Sequence, residues 1–377
     1  MKFFIRDFFA RLYMLLCRVY PVNEKRIVFK SDRGVGCSDS PFALFQELKK
    51  SYPDYEAIWV LKDLSKRPEN AIAVKESSLS EMKALATSKY WIDNKRKGCW
   101  AIKRKGQKYV QTWHGPIALK KVEKDIEDKL PPYYVKSAKH DSAIADYFLS
   151  SSKWTTSFYR SCFWYKGEIL EFGVPRSDVF YKKPIEEIRD IRDHFGVSDS
   201  CHIVLYAPTF RDDGNVDVFA LDYERLISTL EKKFGGDWKV IVRLHPNLTG
   251  IEGIVHYDQN VLNGNTVGDI SNIILACDVL ITDYSSCMYD AMEAGKTVFL
   301  YAPDIDVYGK DRGFVMPLTD LPFSIGEDID ELCAVIENFK NDKYIERVKE
   351  FSTRIGIFDN GSASEKVLNF LLSQNDQ

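Results

Sequence analysis

The sequence predicts an α/β protein built from two αβ halves joined by a hinge. Three observations carry that expectation. Short, nearly continuous apolar runs alternate with segments of helical periodicity, which implies βαβ units and parallel sheets. The alternation pauses at a turn-rich stretch, Gly173-Val174-Pro175-Arg176-Ser177-Asp178, and then restarts. The length of 377 residues exceeds one ordinary domain and fits two to three.

The elements follow in order. Residues 1–20 read MKFFIRDFFARLYMLLCRVY, with apolar runs broken by Arg6, Asp7, Arg11 and Arg18. That is too charged for a membrane span of about 20 apolar residues, and it lacks a small-residue cleavage site. It suits an amphipathic helix that lies on an anionic leaflet or docks on its own domain. Strands are expected at 26–30, 57–61, 90–92, 109–112 and 147–149. Helices are expected at 42–50 and 79–87, the second opened by a Ser78/Glu81 capping box. Past the hinge, strands are expected at 203–206, 240–244, 279–282 and 298–301, with helices at 223–234, 286–294 and 329–340. A Ser362/Glu365 box opens a last helix ending near Leu372. The expected division is an amphipathic helix at 1–22, a first αβ domain at 23–175, a second at 176–361, and a closing helix at 362–377.

Composition narrows the function classes. Hydrophobic residues at 45% and charged residues at 28% exclude a disordered chain. The balance of 52 Lys and Arg against 55 Asp and Glu, net −3, argues against a bulk nucleic-acid binder. The eight cysteines are scattered singly, without CxxC, which argues against a disulfide framework or structural zinc and suits a reducing cytosol. Lys95, Arg96, Lys97, Lys103, Arg104, Lys105 and Lys108 crowd one stretch around Trp100. Together with residues 1–20, this cluster favours peripheral attachment to an anionic membrane surface.

Four stretches carry chemistry. The run 279–286 is a buried strand ending in Thr282-Asp283-Tyr284-Ser285-Ser286, where a helix begins. A helix N-terminus with two hydroxyls suits a phosphate, while a serine there also serves as a plain cap. Glu293, two turns on, is placed to hold a polyol or ribose hydroxyl or to pair with a surface cation such as Lys296. Tyr206-Ala207-Pro208-Thr209-Phe210-Arg211 presents Thr209 and Arg211 at the same sheet edge. An Arg fork matches phosphate oxygens, and equally forms structural ion pairs, here with Asp212 or Asp213. Arg243-Leu244-His245-Pro246 ends the next strand, with Pro246 holding His245 extended. In the first half, Thr112-Trp113-His114-Gly115-Pro116 turns sharply after a strand and exposes His114, the side chain best suited to a general base near neutral pH. Lys120 and Lys121 follow, as phosphate-neutralising groups or as ordinary surface lysines. Gly34-Val35-Gly36 is not a full dinucleotide fingerprint, since Asp39 stands where the third glycine belongs. Asp304-Ile305-Asp306 has metal-compatible spacing without a visible third ligand.

These blocks, with Ser38-Asp39-Ser40-Pro41 and Ile58-Trp59-Val60-Leu61, resemble the CDP-glycerol:poly(glycerophosphate) glycerophosphotransferase family of teichoic-acid and capsule enzymes, in order and over nearly the whole chain. The resemblance implies a GT-B-like fold of two Rossmann-type domains with a cleft between them, the first (23–175) binding the acceptor and the second (176–361) the donor, with the closing helix crossing back to the first domain, and a peripheral enzyme at the cytoplasmic face of the bacterial membrane. It implies a CDP-glycerol or CDP-ribitol donor and a lipid-linked glycan or teichoic-acid acceptor; neither the motifs nor the charge balance calls for a cofactor, a metal site or nucleic acid. It makes His114 and His245 catalytic. Thr209, Arg211, Arg243, Asp283, Ser285, Ser286 and Glu293 become donor-binding; Ser38, Asp39, Lys120 and Lys121 acceptor-binding. Family members usually read His-Gly-Thr-Pro-Leu-Lys, whereas here Gly115-Pro116-Ile117-Ala118-Leu119 precedes Lys120, a loop one residue longer. A GT-B glycosyltransferase using a nucleotide sugar, and a non-catalytic polyanion binder, are the alternatives.

Overall fold

The structure, a computed structural model, describes residues 2–209, 211, 221–244 and 255–373. The chain divides into two compact units. The first comprises Met1–Pro116, Val122–Asp178 and Ile355–Gln377; the second comprises Ile117–Lys121 and Val179–Arg354.

In chain order the first unit contains α1 (Lys2–Leu16), β1 (Asn23–Lys30), α2 (Asp39–Ser51), β2 (Glu56–Leu61), β3 (Ile72–Lys75), α3 (Leu79–Thr87), β4 (Ser88–Asp93), β5 (Lys108–Gln111), α4 (Pro132–Ile144), β6 (Tyr147–Leu149), α5 (Lys153–Cys162) and β7 (Glu168–Leu170). All seven strands are parallel, in the order β3-β2-β1-β4-β5-β6-β7. After the short α6 (Asp178–Lys182) come α7 (Ile185–His194), β8 (His202–Ala207), α8 (Tyr223–Phe234), β9 (Trp238–Val242), β10 (Val261–Asn263), α9 (Ile270–Ala276), β11 (Val279–Thr282), α10 (Cys287–Glu293), β12 (Thr297–Tyr301), α11 (Ile305–Arg312), β13 (Ser324–Gly326), α12 (Ile329–Glu337) and α13 (Asn341–Ile355). These strands form a second parallel sheet, β10-β9-β8-β11-β12-β13. Both sheets reverse direction beside their first strand, as Rossmann sheets do, and ligands of such sheets bind at the carboxyl ends of the strands flanking that reversal.

The central strands are near-continuous apolar runs because both their faces are covered. Four strands lack that signature and were not expected from the sequence: β3, β7, β10 and β13. Each lies at a sheet edge, is three or four residues long, and is only partly buried.

The closing helix α14 (Ala363–Ser373) belongs to the first unit. Its Val367, Leu368 and Leu371 pack with Phe29, Leu44, Leu48 and Trp59, all buried. The start of α14 differs from expectation. Ser362 hydroxyl turns to Asn360, and the Asp178 carboxylate accepts from the amides of Ala363 and Ser364, both at 2.8 Å. The Asp359 carboxylate accepts from the Val174 amide at 2.6 Å, and a Cβ on Gly173 (φ +89°) would collide with it. These contacts tie 173–178 to the first unit. The border therefore falls after Asp178 and before Ile355, not at 175/176 and 361/362.

Helix α1 buries Asp7, Ala10, Met14 and Cys17, one helical face, and leaves Ile5, Phe8, Phe9, Leu12, Leu15 and Leu16 exposed. The basic cluster is not the solvated patch that its composition suggests. Arg96 is paired with Glu123 and Asp141 and is 4% exposed, Lys97 is paired with Asp93 at 2.6 Å, and Lys103 is paired with Asp146. Arg104 closes the end of the N-terminal helical segment by donating to the carbonyls of Cys17 (2.7 Å) and Tyr20 (2.9 Å). Clustering in sequence here reflects several separate buried partners rather than one charged surface.

Candidate active site

In the first unit, the loops after β1, β4 and β5 meet around His114. Trp113 adopts a left-handed conformation (φ +57°), as does Gly115 (φ +94°), so the chain doubles back at the imidazole. Gln111, at the end of β5, accepts from the Trp113 amide at 3.0 Å. The Trp113 ring packs on Phe163 (4.6 Å between centroids) beneath the Arg96 guanidinium (5.0 Å). Beyond the imidazole, the Pro116 carbonyl accepts from the Thr155 and Ser151 hydroxyls. The loop is thus clamped on both sides.

The imidazole stacks on Trp113, with centroids 4.4 Å apart, and its Nδ1 lies 3.1 Å from the Asn94 carbonyl oxygen. A carbonyl only accepts, so Nδ1 carries the proton and Nε2 keeps its lone pair. Desolvation, the dominant cause, together with Lys95 and Arg176, pushes the His114 pKa down to about 3, against the opposing Asn94 hydrogen bond and Asp32. Part of the residue remains open to solvent, which moderates the desolvation; the direction is downward, towards the neutral ring.

Asn94 is itself fully buried and held on two sides. Its side-chain oxygen accepts from the Asp32 amide (2.9 Å), and its Nδ2 donates to Asp39 Oδ2 (2.8 Å). Asp39 Oδ1 accepts from the Ser40 amide and lies 3.6 Å from Arg176. Asp32 accepts from the Ser38 hydroxyl at 2.9 Å and faces Lys95 at 3.4 Å. Asp32, Arg33 and Asp39 all have positive φ (44°, 56° and 59°). Such strain costs about 1–3 kcal/mol per residue and gathers where a site over-determines its backbone. Ser38 and Asp39 therefore lie beside the imidazole, with Asn94 and Asp32 as hubs. Neither periodicity nor a motif singles out Asn94; only its place just past a central strand at the sheet reversal marks it.

In the second unit, the loops after β8, β9, β11 and β12 carry the remaining residues. The Thr209 amide donates to Asp283 at 2.8 Å, and the Thr209 hydroxyl is buried without a hydrogen-bond partner among the described residues. Arg211 is buried and forms ion pairs with Asp283 (2.8 Å) and Asp304 (2.7 Å). Its guanidinium lies 5.0 Å from the Tyr284 ring centroid and 4.9 Å from that of Tyr308, two rings that stack on each other at 4.0 Å, and the Tyr284 hydroxyl donates to Asp304. The fork expected to face a phosphate is thus occupied by two carboxylates, neither of them Asp212 or Asp213. Asp304 accepts from Arg211 and Tyr284, and no cluster of three metal-ligating side chains occurs among the described residues. Arg243 donates to the carbonyls of Gly264 (2.7 Å), Val267 and Gly268 (3.1 Å), which fixes the loop after β10.

Ser285 and Ser286 remain partly open at the start of α10, where Ser285 Oγ accepts from the Cys287 amide at 3.4 Å. Glu293 is the last residue of α10 and half-buried. Lys120 and Lys121 lie in the Ile117–Lys121 strap of the second unit. The strap bridges to Phe314, with Lys121 N donating to the Gly313 carbonyl (3.1 Å) and Lys120 Nζ lying 5.0 Å from the Tyr308 ring centroid. His245 lies outside the described residues.

Two parallel sheets with the Rossmann reversal, each gathering polar loops at its carboxyl edge, define the GT-B-like class. The sequence matches the family described as CDP-Glycerol:Poly(glycerophosphate) glycerophosphotransferase over residues 12–373, and the chain belongs to that family. It is 30% identical over 386 residues to a teichoic acid poly(glycerol phosphate) polymerase of Bacillus spizizenii, covering 97% of this chain and 98% of that protein. It is 32% identical over 372 residues to the polymerase of the same description from Staphylococcus epidermidis, covering 94% of this chain but 52% of that protein, about half its length. Among solved structures, the wall teichoic acid polymerase TagF, in a variant soaked with CDPG, superposes with a TM-score of 0.84 at 32% identity, covering 97% of this chain and 93% of that one.

Proposed function

We propose that this protein transfers glycerol phosphate from CDP-glycerol to a hydroxyl of a teichoic-acid-type acceptor and releases CMP. The acceptor oxygen attacks the β-phosphorus, the bond from that phosphorus to the bridging oxygen breaks, and CMP leaves with the electron pair. His114 Nε2 takes the hydroxyl proton. The observation that carries this reading is the Nδ1 contact to the Asn94 carbonyl, which fixes the tautomer with an unprotonated Nε2. Phosphoryl transfer relies on positioning and electrostatics, so no covalent nucleophile is needed. On the donor side, Ser285 and Ser286 with the start of α10, the unsatisfied Thr209 hydroxyl, and His245 would receive the diphosphate. Glu293 would hold a hydroxyl of the donor. Arg211, Asp283 and Arg243 act one step back, by holding the loops that present those groups. Lys120 would act beside the aromatic pair Tyr284–Tyr308, and Ser38 and Asp39 beside the acceptor hydroxyl.

The reading is tested by CMP release in the presence of CDP-glycerol, CDP-ribitol and UDP-sugars. His114→Ala should lose about 10²–10⁴-fold in turnover while leaving CDP-glycerol affinity within about threefold of the wild type. Near-normal turnover in that variant would refute the assignment, and nucleotide release from a UDP-sugar alone would favour a glycosyltransferase.

Attachment to the cytoplasmic face of the membrane is part of the proposal. Its support is the exposed face of α1, where Phe9 and Leu16 are 62% and 61% exposed, beside the buried face that docks it. No described helix is long and apolar enough to cross a membrane. Inserting such side chains into a leaflet gains roughly 1.5–3 kcal/mol each.

A further inference from the structure

Helices α1 and α4, with the loop at Cys99, border a half-open cavity of about 240 Å³ lined by Asp7, Phe8, Arg11, Cys99, Lys136 and His140. None of these residues takes part in the chemistry above. Arg11 donates from Nε to the Cys99 carbonyl at 2.9 Å, which fixes the plane of the guanidinium at the cavity wall. Its two terminal nitrogens have no partner among the described residues. Lys136, exposed on α4 and itself engaged by another group, brings a second cation to the lining. The one acid in the lining, Asp7, is engaged by the Tyr133 hydroxyl at 2.9 Å and by Arg6 at 3.4 Å, which offsets its charge. His140 donates from Nε2 to the Ala101 carbonyl, 2.7 Å away, so this ring edge is fixed to the wall.

Phe8 links the cavity to the surface. It lines the cavity and also belongs to the exposed apolar face of α1. When that face lies in a leaflet, the cavity opens at headgroup depth, with a cationic fork and an ammonium inside and apolar rings at its rim. A planar fork plus a point charge is the pairing that grips phosphate oxygens.

We propose that this cavity is a binding site for the phosphodiester headgroup of one anionic phospholipid, taken from the membrane on which α1 lies. The site rests on the membrane reading above and deepens it: it makes attachment a one-to-one recognition as well as a partition of apolar side chains.

The test uses the full chain and two probes. The first is monomeric dihexanoyl-phosphatidylglycerol, titrated calorimetrically. The second is vesicles of phosphatidylcholine with and without phosphatidylglycerol, in a sedimentation assay. The wild type should bind the short-chain lipid with one-to-one stoichiometry, and excess inorganic phosphate should not displace it. Arg11→Gln with Lys136→Gln should weaken that binding about thirtyfold, the sum of two cation contacts. Arg18→Gln with Lys105→Gln removes the same charge from exposed positions outside the cavity and should change it by less than about threefold. Lys136→Glu alone, at an exposed position, should give an intermediate loss and covers the case in which the double variant fails to fold. Equal losses in the two double variants, unchanged binding in Lys136→Glu, or displacement by inorganic phosphate would overturn the cavity. Vesicle binding without any one-to-one lipid binding would sink the cavity alone. Absence of all vesicle binding by the wild type would sink the membrane reading beneath it.

Discussion

Replacing Asn94 with alanine tests the arrangement of the base without touching the base. The substitution removes a neutral hydrogen bond from the Asp32 amide at 2.9 Å and a charge-assisted one to Asp39 at 2.8 Å. The first is worth about 1 kcal/mol and the second about 1.5–3, so the folded state loses roughly 2.5–4 kcal/mol. The residue that moves is the one whose carbonyl orients His114, so misplacement of the imidazole follows. A shift of about 1 Å costs on the order of 10²-fold in rate. Steady-state CMP release should show that loss in kcat, with KM for CDP-glycerol nearly unchanged, because the donor is held elsewhere. Asn94→Asp sharpens the test. It sets a carboxylate against Asp39, and the repulsion is relieved when the pair takes up a proton. Its deficit relative to the wild type should therefore be larger at pH 7.5 than at pH 5.5. A wild-type kcat in Asn94→Ala, or a loss confined to KM, would refute the idea that this carbonyl positions the base.

Other outcomes follow from the same contacts. The depressed His114 pKa keeps the ring neutral well below its ordinary value, so the acid limb of kcat/KM should lie below pH 6.5; Lys95→Gln removes a cation that disfavours the imidazolium and should move that limb upward. Arg211→Met leaves Asp283 and Asp304 buried without their cation and should destabilise the second unit by about 3–5 kcal/mol, read by denaturant unfolding. Asp178→Ala uncaps α14 and should cost about 1–2 kcal/mol with little change in KM. Leu12→Ser with Leu16→Ser should reduce vesicle binding while leaving CMP release from a soluble acceptor intact.

The central strands and most of the chemistry-bearing loops were legible in the sequence, because burial on both faces writes itself as unbroken apolar runs such as 279–282 and 203–206. The edge strands were not, since β10 and β13 are short and half-covered, and nothing in their composition separates them from loop. Residue type identified His114 as a candidate base, but what fixes its tautomer is a main-chain carbonyl, and a backbone group has no sequence signature. Arg211 shows the opposite failure. Its place after a strand suggested a phosphate, and its nearest acids in sequence suggested the structural alternative, whereas its actual partners lie about 70 and 90 residues away. The Lys95–Lys108 run misled for a related reason: proximity along the chain says nothing about how many separate acids await each cation.

The docking of α14 under the first sheet has a consequence for synthesis. The seven strands are complete by Leu170, yet Val367, Leu368 and Leu371, which cover Phe29 and Trp59, emerge about 200 residues later. At roughly 5–20 residues per second the ribosome takes about 10–40 s to close that gap. For that interval a sticky sheet face waits without its lid, which makes the nascent chain a natural client for chaperones and makes the arrival of α14 the step that completes the first unit.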